Sequence, residues 1–486
     1  LADNLGHQFE CEVDLMNEKK GITATELTLL IVGSTIGSGA FGITSDLATA
    51  AAPGPAMIAW VIVGIGVLML VLSLNNLSQK RPDLESGIFS YAGAAFGPLG
   101  EFISGWAYWL SAWLGNIAFA TITMSALGTF FPKVFKNGQN LTSIIIAIIL
   151  TWILTFLVNQ GIESAAFINS IGTICKIVPL IVFVICVILG FKARIFTADF
   201  WGNVAQNIKG GPTSVFSQVK SSIIVMMWLF VGVEGASVLT SRARSRSDAE
   251  KASIMGLVSL LTIYIVVSVL PYGVMSRAEL AAGGQPALGA IMQHLVGNWG
   301  AALISIGLII SVLVSWLSWT MLPAESLMLM ADDQTLPSSW GKVNAKKAPT
   351  RALVITGVLQ SLFLFSLLFT SYAYNFAYTL CTAAILISYL LVGIYQMMYS
   401  WEHQDWGQFT IGLIATLFEL MAMVLSGWKQ VMIVSVGFIP GFIFYLQAAK
   451  EYHHAVSAKE KWAMVLIAIF AIISLVLVAN GTISIN

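Results

Sequence analysis

Charge is what this 486-residue sequence has least of: 24 basic and 24 acidic side chains make up 10% of it, against roughly a quarter of an average soluble domain. So few charges cannot coat a soluble body of this size, which excludes a soluble enzyme, a nucleic-acid binder and a secreted scaffold. The two signs cancel, so neither a polyanionic partner nor electrostatic attachment to a membrane surface is implied. Cysteine is scarce too. Cys11, Cys175, Cys186 and Cys381 show no CxxC spacing, and the last three lie in apolar stretches where a thiol behaves as a small hydrophobe. No disulfide framework, metal cluster or other cofactor is expected. The five histidines (7, 294, 403, 453, 454) fall outside the apolar runs or at their ends, which argues against haem ligation or a histidine proton relay. Long polar inserts are missing as well, leaving no room for a soluble catalytic or nucleotide-binding domain of about 100 residues. ATP-driven pumping by this chain alone is thereby excluded. An intramembrane enzyme would need paired acids, a serine/histidine set or metal ligands at helical spacing, and none is found. Glu101, Glu163, Glu325 and Glu419 are read as isolated packing or topology residues near span ends.

What is abundant is apolar: 57% of the residues, with a mean hydropathy of +0.84. Runs of about 20 apolar residues suit helices that cross ~30 Å of hydrocarbon. An all-α, multi-pass membrane protein follows. Charges and Pro/Gly clusters divide the chain into spans near 25–50, 55–78, 97–129, 141–159, 165–191, 215–240, 252–275, 299–327, 352–370, 372–399, 407–426, 430–448 and 462–480, thirteen in all. With a cytoplasmic N-terminus, fifteen Lys and Arg face that side and eight the other. The clusters at Arg242, Arg244 and Arg246 and at Lys346 and Lys347 then lie inside, as the positive-inside pattern requires. Residues 1–15 lack the features of a signal peptide and precede Met16, so they read as a flexible or non-native tail.

Two spans break the apolar pattern. The first reads Val32-Gly-Ser-Thr-Ile-Gly-Ser-Gly-Ala-Phe41, a glycine and hydroxyl run able to unwind. Unwound backbone at membrane depth is tolerated only beside a cavity, where a half-helix N-terminus presents amides suited to a carboxylate. Close helix packing through Gly33 and Gly37 is the alternative use of the same residues. The sixth span reads Trp228-Leu-Phe-Val-Gly-Val-Glu-Gly-Ala236, with Glu234 in mid-span. An ionisable group there is costly unless paired, protonated or facing water, and it marks function by default. Spans one and six hold corresponding places in two five-helix halves, and paired interruptions point to a midplane binding site.

Lys176, within Ile171-Gly-Thr-Ile-Cys-Lys-Ile-Val, is a lone cation that must titrate or pair, and it can occupy the space a bound sodium would fill. The third span is rich in aromatics, Gly105-Trp-Ala-Tyr-Trp-Leu-Ser-Ala-Trp-Leu-Gly-Asn116, and the eighth carries Ser315-Trp-Leu-Ser-Trp-Thr320. Trp106 and Trp299 read as interfacial anchors. Trp113, Trp228 and Trp319 lie deeper, where aromatic faces can hold an organic cation. The Asn116 amide needs a partner from substrate or a neighbouring helix.

These residues resemble the amino acid–polyamine–organocation transporters, and within them the basic amino acid/polyamine antiporters. The likeness runs from about residue 22 to 400. It rests on Gly37-Ser-Gly39 with Phe41, Tyr108 to Ala118, Trp228 with Gly232-Val-Glu234, and Trp319 ahead of Ala331-Asp-Asp333 and Leu336-Pro337. Arg81-Pro-Asp-Leu-Glu-Ser-Gly87 adds a likeness to bacterial arginine/ornithine exchangers and to precursor/product relatives such as histidine/histamine exchangers.

The resemblance implies a LeuT-like five-plus-five inverted repeat over residues 16–400, with helices one and six broken, and additional helices over 401–486, about 12–13 in total. It implies that Thr35, Ile36, Gly37, Ser38 and Gly39 bind the substrate carboxylate, and that carbonyls of Trp228, Leu229, Phe230 and Val231 take its amino group. Ser111, Ala112 and Asn116 would line the side-chain pocket, with a tenth-span contact near Thr379 to Thr382, and Trp319 would stack on the distal cation. Tyr108, Trp228 and Trp319 would gate, while Glu234 and Lys176 would couple the conformational change. The expected activity is antiport of a cationic amino acid against its metabolic product by alternating access in the cell membrane. The alternative is a proton-coupled importer of the same fold. The expected partners are small cationic substrates and the bilayer, without nucleic acid, in a monomer or homodimer.

Overall fold

A computed structural model describes residues 23–84, 86–135, 138–161, 166–203, 214–234, 244–369 and 373–483. The tail over 1–15, Met16, Cys11, His7, Glu163, Gly235, Ala236 and Arg242 lie outside the described residues. Every regular element among the described residues is helical: α1 (Ala24–Thr35), α2 (Gly39–Ala50), α3 (Pro53–Lys80), α4 (Ile88–Leu127), α5 (Leu141–Asn159), α6 (Ala166–Gly190) and α7 (Ala193–Ala198). There follow α8 (Val215–Met227) with a 3-10 turn Trp228–Phe230, α9 (Arg246–Val269), α10 (Arg277–Ala282), α11 (Ala287–Val296) and α12 (Asn298–Asp332). The last are α13 (Thr350–Ser366), α14 (Ala373–Glu402), α15 (Trp406–Met421), α16 (Trp428–Glu451) and α17 (Ala458–Ala479).

Ten of these helices are long and apolar enough to cross a membrane: α3, α4, α5, α9 and α12 through α17. The other three expected spans are α6 and the two interrupted ones, α1 with α2 and α8 with its 3-10 turn. Boundaries follow local chemistry. Thr23 opens α1 with a capping box, its hydroxyl accepting from the Glu26 N–H at 3.4 Å while the Glu26 carboxylate accepts from the Thr23 N–H at 3.1 Å. Pro53 and Pro55 open α3, where the missing N–H groups cost nothing.

Three differences from the expected spans have simple causes. The third span begins at Ile88 rather than at 97, because the helix continues through a kink at Gly97 (φ 75°) and Pro98. At 1.5 Å per residue, its 40 residues exceed the hydrocarbon thickness about twofold, so part of it lies beyond the bilayer. Between the seventh and eighth spans stand α10 and α11, too short to cross and therefore absent from a hydropathy reading. Trp106 is no interfacial anchor: it is 1% exposed, donates to the Gly437 carbonyl at 2.9 Å and lies against Gly441 of α16. Trp299 is exposed, as expected of an anchor.

The interior is built around α4, which packs along α14 and α12, and this pairing is the most extensive in the molecule. The outer surface is apolar, as a lipid-facing surface must be; Leu189, Phe369 and Trp462 are examples. The interrupted first span is braced by α9, where the Tyr264 hydroxyl donates to the Thr35 carbonyl (3.3 Å) and the Val267 carbonyl accepts from Thr44 (2.9 Å). Arg277 of α10, almost fully buried, donates to the Ala48 carbonyl at 2.8 Å and the Thr49 carbonyl at 3.4 Å. A cation there meets the unsatisfied carbonyls at the C-terminus of α2, which explains an arginine so deep in the protein.

Candidate functional site

The first span stops being helical at Ile36, whose ψ of 103° is extended, and resumes at Gly39. The first amides of α2 therefore have no helical carbonyl one turn earlier to receive them, and among them Phe41 N–H turns to the Ser38 carbonyl at 3.0 Å. Close approach governs this stretch: a Cβ on Gly39 would lie 3.0 Å from the Trp228 indole. The glycine thus brings the two interrupted spans together.

At the sixth interruption the 3-10 turn Trp228–Phe230 ends in extended Val231, and Gly232 follows at φ +99°, a conformation open to glycine and strained for other residues. A Cβ there would also stand 2.7 Å from Trp319 Cζ2. Glu234 turns back, its carboxylate accepting from the Gly232 N–H at 3.1 Å and from the Tyr389 hydroxyl of α14. Tyr389 also lies 3.2 Å from the Phe230 carbonyl, and Tyr108 of α4 faces the same carboxylate. Glu234 thereby ties the interruption to α14.

Between the two interruptions lies a cavity of about 30 Å³, walled by Gly37, Ser38 and Gly39 on one side and Trp228, Leu229 and Val231 on the other. Thr35, Phe119, Ser315 and Trp319 complete most of the wall. The space suits about two waters, so an amino acid enters only when the aromatic walls move. Two buried polar atoms of its walls, Ser38 Oγ and Trp228 Nε1, make no full hydrogen bond, and the Tyr374 hydroxyl of α14 faces both; Asn116 Oδ1, one layer out, is unpaired as well. Unsatisfied buried groups each cost free energy and are rare in proteins, so their convergence marks a place prepared for a polar guest.

Lys176 sits at the edge of this region, 4% exposed. Its ammonium donates to the Gly33 carbonyl at 2.8 Å and the Ser315 hydroxyl at 3.4 Å, both neutral oxygens. It bridges α6, the end of α1 and α12.

The structure brings Thr35, Gly37, Ser38, Gly39, Trp228, Leu229, Val231 and Trp319 together on one cavity, but separates other expected residues from it. The Phe230 carbonyl already receives Val233 N–H at 3.0 Å besides facing Tyr389, and Ile36 is fully buried in the core. Ser111 and Ala112 are buried on α4 beside α14, where Ser111 Oγ meets Cys381 Sγ at 3.3 Å. Asn116 reaches the site through its neighbour, donating to the Trp319 carbonyl at 3.0 Å. Trp113 packs against Trp109 and Phe363 rather than on the cavity.

The tenth-span contact lies elsewhere than expected: Thr379 and Thr382 bond back to their own helix. Instead, Tyr378 stacks on Trp228 with ring centres 5.8 Å apart, and Tyr374 lies against Tyr378. Phe119 was missed although it stands one helical turn from Asn116. Glu101 is not isolated, because its carboxyl faces Asp333. Glu419 is wholly buried rather than at a membrane edge. Glu325 lies near Tyr108.

Comparison with known proteins extends these observations over the whole chain. The amino acid permease family model matches residues 22–484. An arginine/ornithine antiporter of Latilactobacillus sakei is 54% identical over 470 residues, spanning 96% of this chain and 98% of that relative. An arginine/ornithine antiporter of Lactococcus lactis subsp. cremoris is 45% identical, spanning 94% of this chain and 89% of the relative. An arginine/agmatine antiporter of Chlamydia caviae is 35% identical, spanning 94% and 97%. Among solved structures, a substrate-bound, outward-open Na+-coupled sialic acid symporter superposes with a TM-score of 0.52 at 13% identity, covering 82% of this chain and 89% of that one. At such low identity the likeness concerns the fold alone: the LeuT-like arrangement in which the first and sixth helices are interrupted.

Proposed function

From the premise that this chain belongs to the amino acid permease family, we propose that it is a secondary antiporter that exchanges arginine for ornithine. The observation that carries this reading is the near full-length identity to the arginine/ornithine antiporter of Latilactobacillus sakei. The arrangement around the cavity supports it. Substrate carboxylate docks on the free amides and hydroxyl at Gly37, Ser38 and Gly39, where the N-terminus of α2 favours an anion. The α-ammonium takes the carbonyls of Leu229 and Val231 on the sixth interruption. The distal cation lies against Trp319 and donates to the unsatisfied Asn116 Oδ1.

Exchange follows when the loaded carrier changes state readily and the empty one slowly. An amino acid holding its two charged ends on two separate helices joins the moving parts, so the substrate itself lowers the barrier. Trp228, with Tyr378 stacked on it, closes one side of the cavity; Tyr108, Glu234 and Tyr389 close the other. Trp319 separates the substrate's cation from the second closure. Lys176 replaces a transported cation with a tethered one. In this arrangement the N-terminus is cytoplasmic, residues 16–400 form the transport core and the helices of 401–486 surround it.

Counterflow in proteoliposomes tests the proposal. Labelled arginine is expected to enter vesicles loaded with arginine or ornithine and to be excluded from empty ones. Equal uptake into empty vesicles under a proton gradient would overturn antiport in favour of proton-coupled import, with Glu234 or Lys176 as the carrier of the proton.

A further inference from the structure

The one carboxylate of α2 is Asp46, one helical turn beyond Gly42, and nothing in the exchange cycle above uses it. It is half-buried. Its two oxygens accept from neutral amides, Asn375 Nδ2 of α14 at 2.8 Å and Gln285 Nε2, just ahead of α11, at 3.3 Å. Arg277, which is bonded to the same helix, is committed to the Ala48 and Thr49 carbonyls and, at 3.5 Å, to Gln218. In a chain so poor in charge, an anion held only by uncharged amides is costly unless a cation visits it.

A second observation falls at the same place. The Tyr374 hydroxyl, on a side chain only 4% exposed, makes no full hydrogen bond and faces the Trp228 indole and Ser38 at the edge of the main cavity. It points at Gly42, where an added Cβ would meet it at 2.9 Å and Gln285 Oε1 at 2.8 Å. The Gly42 carbonyl accepts from Gln285 Nε2 at 3.1 Å. Within one turn of α2, therefore, the Asp46 carboxylate, the Gln285 amide oxygen, the Gly42 carbonyl and the Tyr374 hydroxyl converge. Four acceptors around one negative charge suit a cation with several N–H groups, a guanidinium or a primary ammonium.

The position completes the argument. Tyr374 lies against Tyr378 at 5.2 Å between ring centres, and Tyr378 stacks on Trp228, the wall of the main cavity. The acceptor cluster thus sits behind the aromatic closure, on the side away from Glu234. We propose that Asp46, with Gln285 and Tyr374, forms an outer subsite that takes the cationic side chain of an arriving substrate before the aromatic closure opens. The amides of Asn375 and Gln285 hold the carboxylate between arrivals and give way to the incoming guanidinium or ammonium. This inference rests on the exchange reading for its substrate class and on a cytoplasmic N-terminus for its sidedness.

The test is the concentration dependence of arginine/ornithine exchange in oriented proteoliposomes, measured separately from each face. Asp46→Asn is expected to raise KM for arginine on the outer face about tenfold, with kcat changed less than about twofold and KM on the inner face unmoved. Asp46→Glu is expected to restore most of the affinity. Gln285→Ala, which removes one of the four acceptors and keeps the charge, is expected to raise the outer KM by less than Asp46→Asn does. In the wild type the outer KM should rise with ionic strength, and Asp46→Asn should abolish that rise. An unchanged outer KM in Asp46→Asn overturns the subsite, as does an equal loss of kcat from both faces at constant KM, the mark of a purely structural latch. If Asp46→Asn does not fold, a wild-type outer KM that ignores ionic strength overturns it as well. Failure of the wild type to exchange at all would overturn the exchange reading instead, a result separable from any of these.

Discussion

Trp319 rests against the bare Cα of Gly232, and that contact sets what each residue can tolerate. Gly232→Ala adds a methyl group 2.7 Å from the indole at φ +99°, a combination expected to cost on the order of 1–3 kcal/mol. A lower Tm in detergent together with at least tenfold slower exchange would show it, and an unchanged Tm would contradict it. Trp319→Ala and Glu234→Gln are expected to suppress exchange while leaving folded, membrane-inserted protein; normal counterflow rates in both would refute the assignments. Lys176→Ala removes the amine that joins the Gly33 carbonyl to Ser315, and its expected effect is slower cycling with little change in substrate affinity. At this scale the sequence was most legible where residue type is improbable for its surroundings. Glu234, Lys176 and the glycines of the first break announce themselves in an apolar run. Phe119, Tyr374 and Tyr378 do not, because an aromatic residue facing a cavity has the same composition signal as one facing lipid. Arg277 draws no attention in the sequence because only the folded chain shows the carbonyls it meets.

Helices follow hydropathy more faithfully than sites do. The ten long spans among the described residues were legible because each must supply about 20 apolar residues, a demand that leaves a long, redundant signal. The kink at Gly97 and Pro98 and the short helices α10 and α11 were not, since a helix too short to cross obeys no such demand. Those short helices matter more than their length suggests. Arg277 of α10 is bound to the last carbonyls of α2, so Arg277→Met leaves buried acceptors unsatisfied and should cost about 1–3 kcal/mol. A thermal melt checks this, and an unshifted Tm would mean that water replaces the guanidinium. Tyr389 plays the matching part at the other closure, linking α14 to the sixth interruption through Glu234 and lying 3.2 Å from the Phe230 carbonyl.

For the whole molecule, the sign and number of charges moved per cycle follow from the substrates. Arginine and ornithine carry the same net charge, so their exchange is expected to be electroneutral: imposing a potential with valinomycin should leave the initial counterflow rate unchanged. A pair differing by one charge would instead feel ~2.3 kcal/mol per 100 mV, and a clear voltage response would exclude the one-for-one exchange of these two. The same economy shows in the anchored ammonium of Lys176. A dissociable ion at that place would let an external gradient push substrate uphill, whereas a side chain bonded to α6 can never leave with the cargo. Under the proposed exchange, the carrier can then only equalise two concentration ratios, arginine outside to inside against ornithine outside to inside. Its direction is set by whichever cellular reaction consumes one amino acid and releases the other, so import stops by itself when that metabolism does.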